Sequence, residues 1–339
     1  MRIACGLGIA VCLWFSVPAP AQHYAVTRNI PLGGDQTYWD YLVADPSSQH
    51  LYVTHETEVL VLDLETGKQV GRVSGLKRAH GVALVHSVNK GFVTDSGDNT
   101  IVAFDLNSDA VLQRIKAGNH PDAIVYEPTM KRVFAFNPHS HDVTVIDAAT
   151  SAVLSTVPLG GAPEFAVIDG KGNVYANLED KAALVHLDSE HMRVLNEWPM
   201  AACKAPSGLA IDAQGRRLFS SCDNKIMVAT DADTGKQVAR FAIGAEPDAA
   251  AYDPQRRLVF SSNTDSTLTV IHQESPDKYT VVQNVKTEYQ ARTMALDPLS
   301  HKIYLPCQQV KPGQKAPEPD TLPEFMPGTF HLIIVEPES

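Results

Sequence analysis

The sequence predicts an all-β protein, a seven-bladed β-propeller of four-stranded antiparallel blades whose N-terminal strand joins the last blade. Three observations predict it. Residues 119–160 fall into four short apolar or aromatic runs, at 122–126, 132–137, 143–146 and 153–159. Glu127-Pro128, Asn137-Pro138 and Asp147 with small residues punctuate them, and Gly160-Gly161 closes the last. Runs of this length between tight turns read as an antiparallel meander, which cannot bury both its faces alone and must stack on copies of itself. Secondly, the copies are present at a steady period. Thirdly, one strand is spare at the start of the chain and one is missing at its end.

The period rests on three markers in register. The first strand of each unit ends on Asp45, Val85, Glu127, Asp169, Asp212, Asp253 and Asp297, 40 to 44 residues apart. An aromatic follows six or seven residues later: Tyr52, Phe92, Phe134, Tyr175, Phe219, Phe260 and Tyr304. The third strand ends on Asp63, Asp105, Asp147, Asp188 and Asp231, with His272 and Glu336 in the last two units. Four strands recurring every ~40–45 residues are propeller arithmetic. Seven such units occupy nearly all of the 339 residues, so one propeller over residues 22–339 is expected.

Taken in order, residues 1–21 read as a signal peptide. Arg2 precedes an apolar stretch over 3–17, then Pro18, Pro20 and an Ala19-Pro20-Ala21 cleavage pattern. Cleavage after Ala21 is expected to leave a periplasmic or secreted protein without a membrane span. Residues 24–32 form a lone strand. Blades 1 to 6 follow at 38–75, 79–118, 119–160, 162–200, 204–244 and 245–285. Gly67 and Gly235 serve third-to-fourth-strand turns that need a positive φ. Blade 7, residues 287–336, supplies only three strands, so the strand at 24–32 completes it from outside and hides two sheet edges. Within blade 7, residues 306–329 carry Pro306, Pro312, Pro317, Pro319, Pro323 and Pro327 and read as a long inserted loop.

Tyr52-Val53-Thr54-His55 and Phe92-Val93-Thr94-Asp95 resemble the motif of YVTN-repeat (YncE-like) bacterial β-propellers. The resemblance extends over almost the whole chain after the first twenty residues, and its motif decays to Phe219-Ser220-Ser221-Cys222 and Tyr304-Leu305-Pro306-Cys307. It implies the fold and carries no chemistry. Related propellers occur in nitrous oxide reductase, haem d1 nitrite reductase and the large subunit of methylamine dehydrogenase, so fold does not give function.

Composition removes some functions. With 28 basic and 39 acidic residues the net charge is −11 at pH 7, and no basic run offsets it. Nucleic acid and anionic lipid are poor partners for such a chain. No C-x-x-C-H haem site and no G-x-S-x-G nucleophile elbow is present. Three cysteines follow the signal: Cys203, Cys222 and Cys307. Folding the hairpin 207–222 about Gln214-Gly215 sets Ser207 opposite Cys222. Cys203 then lies just beyond, and the entering loop must curl back to form a Cys203–Cys222 disulfide. Two separate thiols are the alternative, and Cys307 stays unpaired either way.

The candidate site comes from the register. Five residues before each first-strand marker stand Asp40, His80, Asp122, Glu164, Ser207, Asp248 and Arg292. That position opens the innermost strand and rings the mouth of the central channel, on the face that carries the blade-to-blade crossings. His55, His120, His139 and His141 fall on the same face, and His141 joins the candidate ligand-binding set. A wet channel mouth explains polar residues here without any function. Carboxylates gathered in a funnel, however, repel one another, and a cation relieves the repulsion. Asp122, Glu164 and Asp248 are the expected metal ligands, and hard oxygen donors suit Ca²⁺, Mg²⁺ or Mn²⁺. The multi-histidine copper site of nitrous oxide reductase does not transfer, because the ring is mainly carboxylate. Two functions stay open: a binding or scaffold propeller with a small ligand or protein on the loop face, and a metal-assisted hydrolase or lactonase-like enzyme.

Overall fold

The computed structural model describes residues 23–314 and 322–338. Seven four-stranded antiparallel sheets make up the ring. Blade 3 shows the pattern: Ile124–Glu127 innermost, then Arg132–Asn137, Asp142–Asp147 and Val153–Pro158. Blade 7 is composite. Ala295–Leu296, Ile303–Cys307 and His331–Pro337 come from the end of the chain, and Tyr24–Pro31 adds the outer strand, pairing Tyr24 with Pro337 and Pro31 with His331. The expected signal peptide and its cleavage point lie outside the described residues.

Each repeat marker has a physical task. The first-strand carboxylates are buried and accept backbone N–H groups of the following turn. Asp45 takes Ser47 N at 3.2 Å, Glu127 takes Thr129 and Met130, and Asp253 takes Gln255 and Arg256. These local bonds tie down the hairpin. Blade 2 has Val85 there and no carboxylate to offer; its turn is the 3₁₀ segment His86–Val88. The third-strand acids do the same at the other turn of that face, as with Asp63 to Thr66 N at 2.8 Å and Asp231 to Thr234 N at 2.9 Å. All seven marker aromatics are buried between blades. Two of them use a hydroxyl to hold the next blade: Tyr175 Oη donates to Ala232 O and Tyr304 Oη to Leu64 O. Burying such side chains contributes about 1.5–3 kcal/mol each, which is why packing between blades dominates.

The insertion in blade 7 is more ordered at its base than its prolines suggest. Val310 bridges Phe325, Lys311 N donates to Glu324 O, and Phe325 packs edge-on against Trp39 with ring centroids 4.6 Å apart.

Cys203 and Cys222 form a disulfide with Cα atoms 5.3 Å apart, and Cys307 is free and buried. The hairpin register differs from the strict pairing by one residue. Pro206, and not Ser207, stands opposite Cys222, because the strand bulges between Pro206 and Leu209. The entering loop curls back as expected, with Ala205 at φ +39° and Asp223 N donating to Lys204 O. Replacing both cysteines by serine is expected to cost about 3 kcal/mol by the chain-entropy estimate for a loop of this size. Denaturant midpoints of oxidised wild type and variant measure it, and equal midpoints would show that the bridge adds nothing.

Candidate functional site at the channel mouth

The same irregularity recurs at the top of four inner strands, and it places the ring residues. In blade 2, Ala79 pairs with Asp95 and Val82 with Val93, so His80 and Gly81 together oppose Thr94. Glu164-Phe165 oppose Asn177, Ser207-Gly208 oppose Ser221, and Asp248-Ala249 oppose Ser262 in the same way. A β-bulge re-aims the side chains it carries. Here it turns a polar residue and its successor toward the mouth. Gly81 and Gly208 allow the next blade to close in: a Cβ on Gly81 would sit 2.9 Å from Asp122 O, and one on Gly208 2.6 Å from the Ala249 backbone.

The single residue opposite the bulge fastens the ring to the next blade. Thr94 Oγ1 donates to Asp122 O at 2.5 Å, Asn177 Nδ2 to Ser207 O at 2.8 Å, and Ser262 Oγ to Arg292 O. Thr293 Oγ1 donates to Asp40 O at 3.0 Å and joins blade 7 to blade 1. In blade 2 the third residue of Phe-Val-Thr, Thr94, thus positions the channel mouth from one blade away, whereas Thr54 of Tyr-Val-Thr donates to Tyr41 O of its own blade.

The ring residues are brought together unequally. His80 is the hub. Its Nδ1 lies 2.6 Å from Asp40 Oδ2 and 3.1 Å from Asp122 Oδ1, and its Nε2 lies 2.8 Å from Ser96 Oγ. Tyr38 Oη donates to Asp40 Oδ2 at 2.8 Å, and the Arg78 guanidinium sits over the Tyr38 ring. Arg292 pairs with Asp248. Ser207 is otherwise engaged, donating its hydroxyl to Pro247 O at 2.6 Å. His141 is an exposed turn residue with φ +55°. His120 stacks on His139 at 4.2 Å and touches the His80 ring edge-on. His55 is buried against Phe330. Among the described residues, Asp40, His80 and Asp122 have ligand-type atoms within 4.8 Å of one another, whereas Glu164 and Asp248 belong to no such group of three.

Burial and charge divide the ring into two parts. Burial alone would lower the His80 pKa, but the carboxylates of Asp122 and Asp40 outweigh it and hold it at about 10, so it is an imidazolium at neutral pH. Burial also works against an ionised Asp40, yet the His80 hydrogen bond and charge, with Arg292, keep its carboxyl below the usual range. Glu164 has the opposite fate. Burial raises its carboxyl well above normal, and Asp122, Glu179, Asp248 and Asp40 add repulsion. Asp122 is also raised, by burial first and Asp40 in part, against the pull of His80. The two fixed cations, His80 and Arg292, thus pair with Asp40, Asp122 and Asp248 yet leave Asp122 and Asp248 raised, and surplus acid collects at Glu164 and Asp122.

Directly below the ring is an apolar cavity of about 200 Å³, lined by Tyr41, Val82, Ile124, Phe165 and Met294 among others. Tyr41 follows Asp40 and Phe165 follows Glu164, and their rings meet edge-on at 5.1 Å although they come from blades 1 and 4. Two aromatic rings thus meet just beneath the charged mouth, at the edge of the cavity. Sequence register found the ring but missed Tyr38, Ser96, Tyr41 and Phe165. Tyr38 and Ser96 lie outside the counted position. Phe165 would point away in a regular strand, and the bulge between Pro163 and Ala166 turns it inward.

The polar loops of this face have a further use. Asp95 accepts Lys77 N and Arg78 N, Asp180 accepts Ala162 N, and Asp265 accepts Ala245 N, each at 2.6–3.1 Å. Much of the acid around the mouth therefore holds the crossings in place, and the ring itself is the part left over for a ligand.

No family model matches the chain, and no curated protein does. Solved structures do match, 1832 chains in all. One is Kuenenia stuttgartiensis hydrazine synthase, at 15% identity and TM-score 0.70, covering 83% of this chain and 94% of that one. Another is U3-55K, at 11% identity and TM-score 0.72, covering 94% of this chain and 99% of that one. Likeness at these identities shows the seven-bladed propeller and nothing finer.

Proposed function

We propose that the protein is an exported binding propeller of the YVTN-repeat (YncE-like) kind, whose channel mouth takes a small organic cation. The observation that carries the reading is the pairing of surplus carboxylate at Glu164 and Asp122 with an apolar cavity immediately below. An ammonium group relieves the repulsion at the ring, while its apolar body enters the cavity beside Tyr41 and Phe165, whose rings also favour a cation. The Cys203–Cys222 bridge supports export, since disulfides persist in oxidising compartments. No helix among the described residues is long and apolar enough to cross a membrane.

A divalent cation with hydrolytic chemistry is the second reading, favoured by the Asp40, His80 and Asp122 cluster. It requires an ion to displace the proton that His80 holds between two carboxylates. The ammonium reading leaves the His80 proton in place, exchanges only the one on Glu164, and uses the apolar cavity below, so it ranks first.

Calorimetric titration separates the two. Benzylammonium is expected to bind and raise the melting temperature, and neutral benzyl alcohol to do neither. Heat from Ca²⁺, Mg²⁺ or Mn²⁺ with none from benzylammonium would favour the enzyme reading. Silence from all of them would reduce the mouth to wet structural surface.

A further inference from the structure

A second cluster lies where the ring closes, away from the mouth. Cys307 and His331 are directly opposed across the second and third strands of blade 7. Glu288 belongs to the crossing from blade 6 into blade 7. The Cys307 sulfur, the His331 ring nitrogen and a Glu288 carboxylate oxygen all lie within 4.8 Å of one another. Cys307 and His331 are more than nine-tenths buried, and Glu288 reaches solvent.

The histidine is set up as a ligand. Its Nδ1 lies 2.8 Å from Thr329 O, and a carbonyl only accepts, so Nδ1 carries the proton. In the neutral ring the lone pair is then on Nε2, which faces Glu288 Oε2 at 3.2 Å. Nε2 is buried and makes no hydrogen bond, because its direction misses the carboxylate despite the short distance. A lone pair, a carboxylate and a thiol, whose Sγ donates to Tyr289 O at 3.3 Å, converge with no hydrogen bond among them, an arrangement that a cation would complete. Metal-binding histidines commonly donate the other ring N–H to a carbonyl, which fixes the tautomer. The Glu288 carboxylate is oriented as well, since its Oε1 accepts Asn29 Nδ2 at 2.9 Å.

We propose that Glu288, Cys307 and His331 form a zinc site that clamps the propeller at its point of closure. Thiolate with imidazole selects Zn²⁺ over the hard ions that would suit the mouth. A tetrahedral ion with bonds of about 2.0–2.3 Å holds its ligand atoms about 3.3–3.8 Å apart, so a small swing of the half-exposed Glu288 side chain completes three positions and leaves the fourth to water. Each ligand comes from a different stretch: the crossing, the second strand and the third strand. Through Asn29 the set also reaches the N-terminal strand. Binding releases the Cys307 proton, as the thiolate is the ligand form.

The test uses the full-length protein stripped with a chelator. One equivalent of Co²⁺ is expected to give a thiolate-to-cobalt charge-transfer band that Zn²⁺ abolishes, and Zn²⁺ is expected to raise the melting temperature. Cys307→Ser, nearly isosteric, should lose the band and weaken zinc at least about 100-fold, beyond the 10–100-fold typical of outer-shell changes. His331→Gln should do likewise, and Asn29→Ala, which removes the hydrogen bond to Glu288, should weaken zinc about 10-fold or more. A melting curve of each metal-free variant matching metal-free wild type shows that folding is not at issue. Cobalt binding without a thiolate band, or zinc affinity unchanged in Cys307→Ser, would overturn the proposal, and so would no binding at all.

Discussion

Removing residues 23–32 is expected to destabilise the entire ring and not merely blade 7. The strand Tyr24–Pro31 supplies the outer ladder to His331–Pro337, and without it that strand becomes an open edge. The larger loss is lateral. Tyr24 is buried against Phe260 of blade 6, ring centroids 5.1 Å apart, and Gln283 of the same blade clasps its backbone N and O at 2.8 Å each. At the other end Ile30 packs with the blade 1 core and Arg28 donates to Glu65 O at 2.7 Å. One short strand therefore links blades 6, 7 and 1. Truncating a single buried aromatic costs about 3–5 kcal/mol, so Tyr24→Ala alone should lower stability by about that amount. The deletion should cost more and promote association through the exposed edge. Denaturant unfolding with light scattering measures both. A deletion variant that unfolds at the wild-type midpoint would show that the ring is closed by other contacts.

The closure was legible in the sequence because it is a matter of counting: seven first-strand markers, one spare strand, one missing strand. The markers are legible because each performs the same local task in every blade. Asp45, Glu127 and Asp253 cap the same turn, and Tyr52, Phe134 and Phe260 fill the same gap between blades. The ring at the mouth was legible for a related reason, since its position is fixed relative to the capping acid. What the pattern does not carry is the bulge. A strict two-residue alternation sends Phe165 away from the channel and puts Ser207 opposite Cys222; one extra residue alters both. Nor does register reveal which ring members are already satisfied. Ser207 and Arg292 look equivalent to Glu164 in sequence, yet one is bonded to Pro247 O and the other to Asp248. The cluster of Glu288, Cys307 and His331 had no sequence signal at all. Its members occupy three unlike positions of an atypical blade, and only the cross-strand pairing and the crossing path bring them together.

Glu164→Gln is expected to stabilise the protein while weakening its ligand, and the pH dependence of each effect is fixed in sign. The Glu164 carboxyl is held well above its ordinary pKa by burial and by neighbouring carboxylates, so the folded state binds this proton more tightly than the unfolded chain. Its contribution to stability is then full below the unfolded pKa and is lost as pH rises through the folded one. Asp122 is raised too and acts in the same direction, whereas Asp40, which is lowered, loses its contribution only in acid. Glutamine cannot ionise. The variant should therefore match wild type near pH 4 and exceed it by a margin that widens from there until the folded pKa is passed, with each kcal/mol appearing as about 2–4 °C in melting temperature, by the scale for chains of 150–250 residues. Ligand affinity should move the other way. A hydrogen bond to a charged group contributes about 1.5–3 kcal/mol, so Glu164→Gln should weaken benzylammonium about 10–100-fold. Asp122→Asn combined with Glu164→Gln should abolish its binding. In wild type the ammonium must drive off the Glu164 proton, so its affinity should climb as pH rises toward the folded pKa of that group, and the binding heat should vary with the ionisation enthalpy of the buffer. In Glu164→Gln that buffer dependence should fall to what Asp122 contributes. Such a site keeps a destabilising group because the ligand is what neutralises it. A Glu164→Gln protein less stable than wild type at pH 8, or one that binds benzylammonium with unchanged affinity and unchanged proton release, would remove Glu164 from the site.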